Sequence, residues 1–325
     1  VWKNCDYFDG NLLGPRIVNA FPKKDFPMKN RLWVSVATAI GLLASSTYYL
    51  VEAQGRPPMR VHTATKAAPL TLQTAKFSIS GATYNWSING TRRVLTGNGL
   101  PTHMVGAFPN PGNPNDIAKQ NVNLSVTTLP KTASKITSAE GWVFGVSING
   151  IVFDPFAAEF WQGNRRSGWN YDALGGAVAL GLDANYAHVQ PQGTYHYHGI
   201  PFGLLELLRY DASKHSPLVG YAADGYPIYA LTGIANGQVK KMTSSYRLKP
   251  GNRPGGDAPD GAYDGAFVQD YDYVPGLGTL DECNGAMTVS AEYPSGTYAY
   301  FITEAYPVVP RCFTGTPDRG FSHRG

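Results

Sequence analysis

Tyr84-Asn85-Trp86-Ser87-Ile88-Asn89-Gly90-Thr91-Arg92-Arg93-Val94-Leu95 is the stretch whose reading decides the fold class. In Tyr84–Ile88 and Arg93–Leu95 apolar and polar residues alternate, the period of a strand with one covered face. Asn89-Gly90 between them tolerates the backbone of a tight hairpin turn. The pattern extends outward on both sides. Phe77-Ser78-Ile79 precedes the hairpin, Asn121–Thr127 follows it, and Trp142–Ile148 turns through Asn149-Gly150 into Ile151-Val152-Phe153. Between them Asn98–Ile117 is so rich in Gly, Pro and Asn that it reads as a long ordered loop. Composition agrees, since 37 Gly, 24 Pro and 20 Tyr against 15% charged residues describe a chain that turns often and lacks the usual helix formers. Helix signals are confined to Phe202–Tyr210 and one turn at Ala157–Trp161. The expected architecture is mainly β: a single large β-sandwich-like or irregular β domain with long Gly/Pro loops and one or two short helices.

This domain is assigned to residues 76–325. Residues 54–75, rich in Pro and Thr with little apolar periodicity, read as a linker. Before them, Met28-Lys29-Asn30-Arg31, the apolar run Leu32–Leu43 and the small-residue site Val51-Glu52-Ala53 have the order of a secretory signal peptide over 28–53. A retained membrane anchor is the alternative, because Leu32–Val51 carries no charge. Either way the domain is expected outside the cytoplasm, secreted or periplasmic. Residues 1–27, with Cys5, show no usable pattern and are set aside as upstream of the mature protein. The remaining cysteines, Cys283 and Cys312, flank an apparent hairpin at Met287–Thr303 and are expected to pair, the alternative being two unrelated buried thiols. Six of the basic and four of the acidic residues precede residue 54, so the domain is close to neutral. With no run of Lys and Arg, nucleic acid is excluded as a partner.

Three of seven histidines fall in Asn185-Tyr186-Ala187-His188-Val189-Gln190-Pro191-Gln192-Gly193-Thr194-Tyr195-His196-Tyr197-His198. On a strand His196 and His198 share one face while Tyr195 and Tyr197 take the other. Two imidazoles on one face make half of a transition-metal site, and copper or zinc, with iron as a further option, suits such donors. His188 is the nearest third ligand, with the Gln190–Gly193 turn folding its strand back. His103 is a candidate fourth ligand or substrate contact. Glu159, Asp154, Asp183 and Asp224 are the more distant donors, and Asp224 and Glu159 are the candidate catalytic or proton-transfer carboxylates. Hydrogen-bonded histidines with no metal at all are the alternative.

The segments Gly193–Gly199, Gly220-Tyr221-Ala222-Ala223-Asp224-Gly225-Tyr226-Pro227-Ile228-Tyr229 and Leu280-Asp281-Glu282-Cys283-Asn284-Gly285 resemble the YHYH-domain family of secreted proteins. Asp154-Pro155-Phe156, Gly168–Tyr171 and Leu182–Asn185 are similar too, and the resemblance spans roughly residues 98–313. It implies export and a single domain, and no reaction. Gly296-Thr297-Tyr298-Ala299-Tyr300-Phe301 echoes Gly193–His198 with Ala299 where a histidine would stand. A duplicated site that has lost its ligands and a coincidence in a Tyr-rich chain are both open.

Three functions follow as expectations. The first is an exported metal-binding protein or metalloenzyme acting on a small molecule, with the tyrosines favouring an oxidoreductase over a hydrolase. The second is a carbohydrate or cell-surface binding module that would stack sugars on Trp86, Trp142, Trp161 and Trp169. The third is a structural domain without metal.

Overall fold

A computed structural model describes residues 61–323. The expected signal segment 28–53 and the upstream residues with Cys5 lie outside the described residues. In chain order the first strands are β1 (Tyr84–Asn89), β2 (Arg92–Gly97), β3 (Val122–Thr127), β4 (Thr132–Ser138), β5 (Gly145–Ser147) and β6 (Val152–Phe153). Next come β7 (Ala187–Val189), β8 (Tyr195–Tyr197), helix α1 (Phe202–Leu207), β9 (Gly220–Ala222) and β10 (Pro227–Ala230). The last are β11 (Thr232–Ala235), β12 (Gln238–Lys241), β13 (Tyr246–Leu248), β14 (Tyr271–Tyr273), β15 (Gly285–Thr288), β16 (Thr297–Ile302) and β17 (Cys312–Gly315). The protein is mainly β, with no closed barrel. The expected hairpin forms with Asn89 opposite Arg92 and Trp86 opposite Leu95, and β3 adds a third strand. Among the described residues no helix is long and apolar enough to cross a membrane.

Two local expectations change. Ala157–Trp161 is not a helical turn. Phe160 bridges Asn170 and Trp161 bridges His62 in extended backbone, because Trp161 and Ala157 are drawn into an apolar cluster around Tyr171 and Phe267. The part of the expected linker that is described, residues 61–75, is laid along the domain. Ala68 N donates to Gly175 O, Gln73 N to Leu182 O and Tyr171 Oη to Ala64 O. Arg253, fully buried and ion-paired with Asp264 and Asp270, donates through Nη1 to Thr65 O. Leu70 and Leu72 pack on the same apolar cluster. The segment lacks periodicity because backbone bonds and a few isolated apolar residues hold it.

The central sheet has eight strands in the order β15-β16-β10-β9-β5-β6-β8-β7. Its middle pair, β5 and β9, is antiparallel with Val146 opposite Tyr221, Gly145 opposite Ala222 and Ser147 opposite Gly220. That register maps onto itself when the two strands exchange. Outward from it both halves repeat the same pairings. In one half β6 is antiparallel to β5, β8 parallel to β6 and β7 antiparallel to β8, while β10, β16 and β15 do the same beyond β9. Phe153 stands opposite Tyr197 as Ile228 stands opposite Tyr300.

The local chemistry repeats as well. Gly150 (φ +87°) donates to Ser147 O, and Gly225 (φ +92°) to Ala222 O, in matching turns that only glycine enters without strain. Asp183 Oδ1 accepts from Asn185 N and Ala187 N, and Asp281 Oδ1 from Cys283 N and Gly285 N. Tyr195 Oη donates to Asp183 Oδ2 at 2.7 Å, and Tyr298 Oη to Asp281 Oδ2 at 2.9 Å. Gly145 and Gly220 hold equivalent places beside the symmetry axis, where a Cβ would lie 2.5 Å from Tyr221 O and 2.3 Å from Val146 O. The echo between Gly193–His198 and Gly296–Phe301 is therefore an internal duplication of a four-strand unit. Cys283 and Cys312 form the expected disulfide, with Cα atoms 5.0 Å apart, and it ties the head of β15 to β17.

Candidate metal centre

Tyr195 and Tyr197 point to one side of β8 and anchor it. Tyr195 is bonded to Asp183, and Tyr197 Oη lies 2.6 Å from His103 Nε2. His103 passes its other nitrogen to Met104 O at 2.9 Å, and Asp183 Oδ2 also accepts from Gly106 N. The Gly/Pro loop is thus pinned beneath the strand by the tyrosines. This places His103 and Asp183 on the side opposite the motif histidines, so His103 is not a fourth ligand but a hydrogen-bonded core residue. Burial holds its imidazole below the usual histidine range.

The histidines take the other face. The β7–β8 register sets His188 directly opposite His196, and His198 follows two residues on. His196 Nε2 and His198 Nε2 are 3.0 Å apart, and His198 Nε2 and His188 Nε2 3.1 Å. Among the described residues these three alone form a group able to hold a metal ion, with all ligand atoms within 4.8 Å of one another. His188 Nδ1 meets Leu180 O at 2.9 Å and His196 Nδ1 meets Thr194 O at 3.1 Å. A carbonyl only accepts, so each Nδ1 carries the proton and each Nε2 presents a lone pair. His198 Nε2 sits between two lone pairs and can donate a proton to only one of them. Neutral imidazoles therefore leave at least one close nitrogen pair unbridged, and a cation relieves it. Ligands about 2.0–2.1 Å from a tetrahedral ion lie about 3.3 Å apart, so the two close pairs need to open by only a few tenths of an ångström while His188 and His196, which like the others lie within 4.8 Å, draw together.

Burial keeps the site in its ligating form. The His188 imidazole is pushed down to about 3 by burial and then by His196. His196 is lowered by burial, and His198 further still by burial and its two imidazole neighbours. All three are neutral at pH 7 and need lose no proton to bind a metal. His198 Nδ1 is buried with only the Asp154 backbone beside it.

Of the four carboxylates considered, Asp154 comes nearest. It follows β6, one pair beyond Phe153 and Tyr197, which puts it on the histidine face beside His198. Its N donates to Tyr197 O, and its Oδ2 lies 3.3 Å from His323 Nε2. That contact raises the His323 imidazole above its usual range. His323 was not anticipated, being a lone histidine far along the chain. Asp224 sits in the other half of the duplicated sheet, where it accepts from Tyr300 Oη at 2.6 Å and from Gly315 N at 2.9 Å. Glu159 lies by His62, and burial raises its carboxyl. Neither joins the histidine group. The four tryptophans are packed against rings of the core: Trp86 on Tyr221, Trp142 on Phe313, and Trp161 and Trp169 on Phe267.

The second half of the sheet supplies an internal control. At the places of His188, His196 and His198 it has Ala286, Ala299 and Phe301, within an apolar cluster that includes Tyr229 and Met242. The same hairpin forms there with the matching Asp281–Tyr298 contact and no histidine in its strands, His215 packing against Phe301 and Thr288 from a neighbouring segment. Residues 123–315, more than half of the chain, match the family model described as YHYH protein, as the motif led us to expect. No curated protein and no solved structure matches the chain.

Proposed function

This chain belongs to the YHYH family, and we propose that it is an exported protein that binds one transition-metal ion through His188, His196 and His198. The observation that carries the reading is the duplication. A four-strand unit of the same topology, pinned by the same aspartate and tyrosine contacts, folds in this chain with alanine, alanine and phenylalanine at the three positions. The histidines are therefore not required by the fold. Two buried neutral imidazoles and a half-buried third, with at least one close nitrogen pair left unbridged, are an unfavourable arrangement unless a cation joins them.

Zinc and copper are the ions whose usual ligand sets fit. Three histidines leave a coordination position open, the arrangement of a metal that acts on a bound water or substrate. The motif tyrosines, which would have favoured redox chemistry, are turned to the opposite face and committed to Asp183 and His103, so they support neither metal over the other. Around the ion, Leu180 O and Thr194 O orient two ligands, and Asp154 with His323 provides a carboxylate–imidazole pair that can hold a proton beside the site. The disulfide agrees with export, since such bonds persist in oxidising compartments. The deciding experiment is elemental analysis of the purified chain without an affinity tag, beside a His196→Ala/His198→Ala variant. One equivalent of metal in the parent and none in the variant is expected. A parent that retains no metal and shows no thermal shift with zinc or copper overturns the reading.

A further inference from the structure

A cavity of about 250 Å³ borders the histidine cluster, with His198 in its wall. Its wall also includes Arg311, whose guanidinium carbon lies 4.6 Å from the centre of the Phe156 ring and 5.1 Å from that of Tyr306. Only one arm of that guanidinium is used: Nη2 donates to Asp172 Oδ2 at 3.0 Å. Nε and Nη1 have no hydrogen-bond partner and are covered from solvent by the surrounding residues, so a ligand in the cavity engages them once that cover shifts. Two idle N–H-bearing nitrogens on a buried cation are costly, and an arginine fixed in plane is suited to grip a planar oxyanion. The rest of the wall is mixed, with Leu70, Leu174, Ile200 and Val308 alongside Tyr186 and Tyr271. Asp172 and Glu304 also line it, the first paired with Arg311 and the second with Lys241, so its charge is already balanced. A singly charged group is accommodated there better than a doubly charged one.

We propose that this cavity is the substrate pocket of the metal centre and that it takes a small monocarboxylate with an apolar or aromatic body, gripped at its carboxylate by Arg311. The inference rests on the metal reading for its catalytic meaning, while the carboxylate grip can be tested without metal.

The test uses the full chain, metal-free and zinc-loaded, with benzoate and phenyl phosphate as probes in titration calorimetry, and metal content measured separately. Benzoate is expected to bind both forms, and more tightly than phenyl phosphate. In the Arg311→Met/Asp172→Leu double variant, which removes a buried pair together and so leaves no orphaned charge, benzoate binding falls at least tenfold while metal content is unchanged. Leu174→Trp, which fills the cavity and leaves the charges in place, gives the same loss and covers the case of a double variant that fails to fold. Benzoate binding that survives in Leu174→Trp, absence of benzoate binding to the parent, or tighter binding of phenyl phosphate overturns the proposal. Benzoate binding with no metal uptake leaves the pocket assignment standing and removes the metal reading instead.

Discussion

Replacing His188, His196 and His198 by the residues at the matching places of the second half gives the variant His188→Ala/His196→Ala/His198→Phe, which separates a ligand role from a structural one. Without metal two terms oppose each other. Removing His198 removes a buried nitrogen that has only the Asp154 backbone beside it and relieves the close imidazole contacts, a gain of about 1–3 kcal/mol together. Two imidazole-to-methyl truncations leave cavities, a loss of similar size. The metal-free variant is therefore expected within about 2 kcal/mol of the parent. With metal at about a hundred times its Kd the parent gains about 2.7 kcal/mol, which for a domain of this size raises Tm by roughly 5–10 °C. The variant gains nothing. Thermal denaturation by circular dichroism, with chelator and then with zinc or copper, reads both effects. A metal-free variant that loses more than about 4 kcal/mol, or does not fold, refutes the argument from duplication and returns the histidines to a structural role. A metal-dependent rise that persists in the variant refutes the ligand assignment.

Further outcomes follow from the same contacts. Tyr195→Phe and its counterpart Tyr298→Phe each take a phenol from a buried or half-buried aspartate, and each is expected to cost about 1.5–3 kcal/mol in urea denaturation. Tyr195→Phe should leave metal content unchanged, and loss of metal would contradict the split between the two faces of β8. Breaking the disulfide with Cys283→Ala/Cys312→Ala frees a loop with a sequence separation of 29, worth about 3–4 kcal/mol by chain entropy, which the same denaturation curves check. His103 stays neutral in the fold because burial lowers its pKa, whereas the unfolded chain takes up a proton below about 6.5. Its contribution to stability is complete above that pH and is lost as pH falls below it, so His103→Gln should flatten the decline between pH 6.5 and 5 by up to about 1.4 kcal/mol per unit. An unchanged slope would show that His103 is already protonated in the fold.

The fold class was legible because strands advertise themselves by alternation, as in Asn121–Thr127, where Val126 is buried, and in Tyr84–Ile88, where the period holds although Tyr84 and Ile88 stay exposed and only Trp86 is half-covered. The order of the central sheet was not, since β8 lies parallel to β6 and β16 to β10, and contacts between distant segments leave no local period. In the site, His196 and His198 could be placed on one face from their spacing, and His188 joined them once the turn at Gln190–Gly193 fixed the register. His103 was misjudged because its residue type fits a ligand while its loop passes under the other face. Asp224 has the burial of a functional carboxylate, but Tyr300 and Gly315 engage it. Arg311 gave no signal at all. It stands alone in an apolar stretch, and of the groups that make it notable only Tyr306 is nearby, while Phe156 and Asp172 come from far away in the chain.

The family motif thus divides into two interleaved patterns with separate physical jobs. Side chains alternate across a strand, so the tyrosines of Tyr195-His196-Tyr197-His198 can be fixed by one set of partners while the histidines answer to another. Gly296–Phe301 retains the first pattern and not the second, and the hairpin, its Asp281 turn and its place in the sheet are all kept. The Asp–Tyr contact therefore travels with the fold, and on the metal reading proposed above the histidines travel with the ion. It follows that the four-residue motif alone does not mark a complete site. What completes it is a histidine on the neighbouring strand, opposite the first histidine of the motif, as His188 stands opposite His196. A YHYH chain with both tyrosines and the matching aspartate, but no histidine at that place, is expected to fold the same unit and to bind the metal with one ligand fewer.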